Sequence, residues 1–140
     1  IAKTERHKKV VRAAKKYLLY PDNISQMYAT RNLGKFSAEL QRSKDIAATI
    51  RDEGIIAVLN GMMNRPSRLK VMEEGKLPCL WILGRLDNYI SCNDVISKVR
   101  LPSNARLEIL ENSGHMGFIE EQDLSVKLVS DFAVSLRSGV

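Results

Sequence analysis

The run Leu77-Pro78-Cys79-Leu80-Trp81-Ile82-Leu83-Gly84 decides the fold. It is nearly all apolar and shows no alternation. A strand buried on both faces reads this way, and such strands are mostly parallel ones inside α/β sheets. A polar turn, Arg85-Leu86-Asp87-Asn88, follows. Ser91-Cys92-Asn93-Asp94 then has the form of a capping box, with Ser91 as N-cap and Asp94 at the third helical position. The helix it opens should end before Leu101-Pro102, because proline disfavours helix at the residue before it. Ala105 to Leu110 alternates, with Leu107 and Ile109 on one face, as an edge strand does. The turn Asn112-Ser113-Gly114 leads to a last helix from about Leu124 to Leu136. Residues 77 to 110 therefore predict one β-α-β unit, with a right-handed crossover and parallel strands.

Upstream of that unit the texture is helical. Val10, Ala13, Ala14, Tyr17 and Leu18 fall at helical spacing within Thr4 to Leu19. Tyr20-Pro21-Asp22-Asn23 stops that helix, and a short apolar patch spans Ile24 to Tyr28. Ser37 to Met63 reads as two helices, with Gly54 as the stop of the first. Ile46 and Ile50 share one face; Ile56, Leu59 and Met63 share the next. A short helix follows Asn64-Arg65-Pro66-Ser67 and runs to Gly75. The chain thus divides into a helical region, 1 to 76, and a β-α-β-α region, 77 to 140.

Composition removes several classes of function. The 140 residues are 44% hydrophobic and 27% charged, the balance of one globular chain. No apolar run approaches the ~20 residues of a membrane span, and Ile1 to Tyr20, basic and without a continuous apolar stretch, is not expected to be a signal peptide. Two cysteines outside any C-x-x-C motif do not make a disulfide scaffold, so a reducing, cytoplasmic setting is expected. His7 and His115 have no partners at metal spacing, and no cofactor is expected. The net charge of +6 comes from one segment. Residues 1 to 20 hold seven Lys/Arg against Glu5, while residues 21 to 140 hold fifteen of each sign. Tyr17 alone interrupts those cations, and it falls on the apolar stripe. A solvated basic helix is the expectation, and nucleic-acid binding is not, since stacking platforms are missing.

The chemistry concentrates at the strand ends. Asp87 lies three residues after the first strand and His115 five after the second. In a parallel sheet the functional loops leave the carboxyl ends of the strands, so the two side chains should emerge on one edge. A carboxylate there can accept a hydrogen bond from the imidazole, fixing its tautomer and stabilising the imidazolium. The competing assignment is an Asp that caps its own turn and a His that satisfies a backbone group. Met116 is the candidate for a substrate pocket beside His115; Met62 and Met63 read as core packing. Trp81 and Cys79 should be core, and Cys92, at a helix start, is the thiol with reactive potential.

These stretches resemble the C-terminal part of an α/β-hydrolase. In that family an apolar strand ends in Gly and the triad acid follows as G-x-x-D, here Gly84-Arg85-Leu86-Asp87. The next strand leads to a Gly-His pair that carries the triad base, here Gly114-His115, followed by an aromatic and an acid, here Phe118 and Glu120. The helical region 4 to 75, with Gly61-Met62-Met63-Asn64-Arg65-Pro66-Ser67-Arg68, is similar to the cap inserted before that strand. The resemblance implies a partial α/β-hydrolase fold, lacking the N-terminal sheet strands. It assigns Asp87 as the residue that orients His115, and His115 as general base.

The family places its nucleophile on a G-x-S-x-G elbow upstream of the cap. Neither that motif nor the oxyanion turn occurs in this sequence, which opens on Ile1. The expectation is a C-terminal fragment of a serine hydrolase acting on an ester- or amide-type small molecule. Without a nucleophile the fragment should be inactive. Ser113 lies close to His115 but not on a strained elbow. Two strands are too few for an independent open sheet. The strand 79–83 should therefore pair with a second copy or with the missing N-terminal half. The alternative is a non-catalytic interaction module that docks through its basic helix.

Overall fold

The computed structural model describes residues 8–9 and 24–137. The basic helix expected over residues 4 to 19 lies outside them, apart from Lys8 and Lys9, which are helical. Contacts divide the chain into two units. One contains Gly34–Pro66; the other contains Gln26–Leu33 together with residues 67–137. The short segment Gln26–Leu33 thus groups with the strands, not with the helices that follow it in sequence.

The first unit holds α1 (Ser37–Thr49) and α2 (Asp52–Asn64). The break falls at Ile50 and Arg51, both in extended backbone. Gly54 does not stop α1, as the sequence suggests, but sits inside the first turns of α2. Asp52 and Glu53 explain the difference, because two carboxylates favour a helix N-terminus. Ile55 is buried and Ile56 and Leu59 half-buried, whereas Ile46, Ile50 and Met63 are exposed.

The second unit holds a 3-10 turn at Thr30–Asn32, α3 (Leu69–Glu73), β1 (Cys79–Gly84), α4 (Cys92–Lys98), β2 (Ala105–Leu110), α5 (Gly117–Glu120) and α6 (Gln122–Arg137). β1 and β2 pair in parallel, from Cys79 opposite Ala105 to Gly84 opposite Leu110. Ser91 caps α4 by accepting the Asp94 N–H at 3.2 Å. Asp94 in turn pairs with Lys98.

β1 departs from expectation in burial. Every residue from Cys79 to Gly84, Trp81 and Cys79 included, is half-buried and not core. The reason is the sheet's width. Among the described residues β1 has β2 on one edge and no strand on the other. The deepest side chains of this unit, Tyr28, Ala29, Leu110 and Ser113, lie where Gln26–Leu33 meets the ends of the strands.

Candidate active site

The C-terminal ends of β1 and β2 are locked together before any functional side chain leaves them. Arg85 N–H donates to Leu110 O at 2.9 Å, and Leu86 N–H donates to Ser113 O at 2.9 Å. The Arg85 guanidinium then grips Glu111 as a two-pronged pair, Nε to Oε2 at 2.9 Å and Nη2 to Oε1 at 2.8 Å. That geometry is the strong form of a charge-assisted bond. It holds Glu111 below the usual carboxylate range and pushes Arg85 further up.

Two glycines bring the backbones closer than any side chain allows. A Cβ on Gly84 would stand 2.0 Å from Gly114 O and 2.7 Å from Ser113 O. A Cβ on Gly114 would stand 2.7 Å from Ala29 N. The end of β1, the turn before His115 and the segment around Ala29 are therefore stacked backbone on backbone.

On this platform Asp87 and His115 meet. His115 Nδ1 lies 2.8 Å from Asp87 Oδ2. The other carboxylate oxygen accepts the N–H groups of Tyr89 at 2.7 Å and Ile90 at 2.9 Å. Asp87 thus caps its own turn and reaches the imidazole at once. The cap leaves the carboxylate no freedom to rotate away. With its side chain only 8% exposed, Asp87 is shielded, while His115 stands 37% open to solvent. A carboxylate on Nδ1 fixes the tautomer that leaves Nε2 as the proton-accepting nitrogen. The Tyr89 ring packs at a tilt against the imidazole, with 5.6 Å between centroids.

A cavity of about 330 Å³ opens beside the pair. Ile82, Ile90, Leu110, Phe118 and Val129 give it an apolar wall, and Asp87 and His115 stand at it. Met116, the sequence candidate for that wall, instead occupies the N-cap position of α5. Ser113 is fully buried and its hydroxyl donates to Glu121 Oε2 at 2.6 Å, so it is committed to a structural bond and not available as a nucleophile. Cys92 is buried, 3.5 Å from an Arg85 nitrogen. Among the described residues no group of three or more His, Cys, Asp or Glu could hold a metal ion, and no helix is long and apolar enough to cross a membrane.

Sequence reasoning missed the brace around His115. Met27 O accepts the N–H groups of His115 at 2.7 Å and Met116 at 3.1 Å. Glu120, 5% exposed, accepts the N–H groups of Ala29 and Gly114, each at 2.8 Å. Those partners to the 26–33 segment are about ninety residues away in the chain, and no local periodicity announces them.

No family model matches the chain. It is 32% identical over 115 residues to a Bacillus subtilis (strain 168) protein that carries the provisional name 2-succinyl-6-hydroxy-2,4-cyclohexadiene-1-carboxylate synthase, a match covering 75% of this chain and 41% of that protein. Its fold is similar to that of a thermophilic esterase from Thermogutta terrifontis, solved with malate bound. The TM-score is 0.78 at 13% identity, over 94% of this chain and 49% of the esterase. The chain therefore spans less than half the length of each of these proteins.

Proposed function

Because the chain is related to the α/β-hydrolases, we propose that it is the C-terminal part of a serine hydrolase and supplies the acid and the base of its triad. The observation that carries this reading is the 2.8 Å approach of His115 Nδ1 to Asp87 Oδ2 at the carboxyl ends of two parallel strands. Asp87 orients the ring. His115 Nε2 takes the proton of a serine hydroxyl as that oxygen attacks a carbonyl carbon, then returns it to the leaving group. The apolar cavity beside the pair suits the uncharged part of a small ester, thioester or amide.

The nucleophile and the donors for the oxyanion belong, on this reading, to a part of the protein that precedes Ile1. The helices before β1 are its cap. The β1 edge away from β2, which meets no strand among the described residues, is where the preceding sheet joins, because an apolar, half-buried edge favours strand addition. Two free cysteines fit a reducing, cytoplasmic setting.

Reading the coding sequence upstream of Ile1 is the direct test. A strand, a G-x-S-x-G turn and a helix are expected there. The longer product should hydrolyse p-nitrophenyl acetate and lose that activity in His115→Ala, while the 140-residue chain alone stays at background. Turnover by the short chain that disappears in His115→Ala would refute the missing-nucleophile argument. An upstream sequence with no serine elbow would remove the hydrolase reading.

A further inference from the structure

We propose that Glu120 is a positioning residue for His115, tying the turn that carries the imidazole to the segment Met27 to Asn32. The inference deepens the hydrolase reading and rests on it.

The Glu120 carboxylate meets three donors. Oε1 accepts the N–H of Gly114, the residue immediately before His115, at 2.8 Å. Oε2 accepts the N–H of Ala29 at 2.8 Å and the Asn32 side-chain amide at 2.7 Å. Every partner is a donor, which suits a carboxylate that only accepts. The same Asn32 amide also donates to Asn112 O at 2.7 Å, at the start of the turn. From the opposite direction Met27 O receives the His115 and Met116 N–H groups. The turn is thus held at and after His115 by Met27 O and immediately before it by Glu120, whose carboxylate also bonds to the segment at Ala29 and Asn32.

This arrangement matters because the ring itself is weakly held. Asp87 is shielded, but the imidazole is more than a third exposed, so water competes for its side of the bond. The approach of Nδ1 to Oδ2 must therefore be set by the backbone beneath the ring. Buried bonds set it: those of Glu120 to Gly114 and Ala29 lie away from solvent. Glutamine cannot substitute. It has one acceptor oxygen for three donors, and its NH2 group would face an N–H.

The experiment is NMR on the 140-residue chain carrying isotope-labelled histidine and glycine. His7 and His115 are the two histidines, so His115→Ala assigns the signals. Three readouts are taken: the low-field proton of Nδ1–H bonded to carboxylate, the ring 15N shifts that report tautomer, and the exchange rate of the Gly114 amide. In the wild type the low-field proton is expected, and Asp87→Asn should abolish it. In Glu120→Gln, with far-UV circular dichroism unchanged, Gly114 exchange should rise about tenfold, the low-field proton should broaden away and the 15N shifts should move towards a tautomer mixture.

A Glu120→Gln chain that is less stable yet keeps wild-type His115 signals would mean a merely structural role and overturn the proposal, leaving the Asp87–His115 pair intact. If the wild type lacks the low-field proton, or Asp87→Asn retains it, the pair itself is refuted and the proposal falls with it. Should Glu120→Gln fail to fold, Asn32→Ala decides. A severalfold rise in Gly114 exchange with a weakened low-field proton supports the brace; wild-type behaviour overturns it.

Discussion

Replacing Gly84 by alanine places a methyl carbon 2.0 Å from Gly114 O and 2.7 Å from Ser113 O. Ordinary contact begins near 3.4 Å, so the two backbones must separate by about 1.4 Å. No flexible side chain can absorb that displacement, because both obstructing atoms are main-chain carbonyl oxygens. Overpacking relieved by side-chain movement costs roughly 1–3 kcal/mol. Here the movement also strains the Leu86 N–H bond to Ser113 O and carries the turn holding His115 away from Asp87. The expected destabilisation is at least about 3 kcal/mol, a large share of the roughly 5–15 kcal/mol that holds a domain folded. Urea unfolding followed by the fluorescence of Trp81, the single tryptophan and a β1 residue, reads this directly. The control is Gly61→Ala in α2, where a Cβ meets nothing within 4 Å. It should leave the helices unchanged or more stable by about 0.5–1 kcal/mol, read by far-UV circular dichroism. A Gly84→Ala chain within about 0.5 kcal/mol of wild type, with an unchanged denaturant slope, would refute the close-approach argument.

Asp87→Asn should keep the fold and invert the imidazole. The amide oxygen stays on the Tyr89 and Ile90 N–H groups, its NH2 turns to Nδ1, and the proton moves to Nε2; ring 15N shifts of His115 check this, and an unchanged tautomer would count against the pair. Glu111→Gln should remove the acid-side part of the stability profile. Glu111 is held below its usual value by Arg85, so its contribution is complete above about pH 4.3 and fades as pH falls through the lower folded value. The wild-type and Glu111→Gln midpoints should therefore converge in acid, by a small amount because the pair is solvent-exposed; parallel profiles would refute the coupling. Ser91→Ala removes the acceptor for the Asp94 N–H and should cost about 1 kcal/mol, seen as a lower urea midpoint; a change below about 0.3 kcal/mol would mean the cap is dispensable.

Local patterns in the sequence determined a good deal. The apolar run at β1, the alternation at β2, the Ser91 cap and the proline at 102 each act within a few residues, and each element forms where its pattern lies. Asp87 and His115 come to one edge of the sheet because each follows the end of a strand within a few residues, and strand ends are fixed by the same short-range rules. What the tertiary structure decided alone is the depth of β1 and the support of the site. β1 reads as buried, yet burial depends on neighbouring strands, and one edge has none among the described residues. Ile24 to Tyr28 reads as a short apolar patch and no more, yet the segment Gln26 to Asn32 carries the bonds that hold the turn of His115. Its partners, Asn112, His115, Met116 and Glu120, lie some eighty to ninety residues further on. Hydrogen bonds across such a separation leave no periodicity, because nothing in either segment alone requires the other. They exist only once chain closure has brought two backbones close enough for glycine to be the one residue that fits.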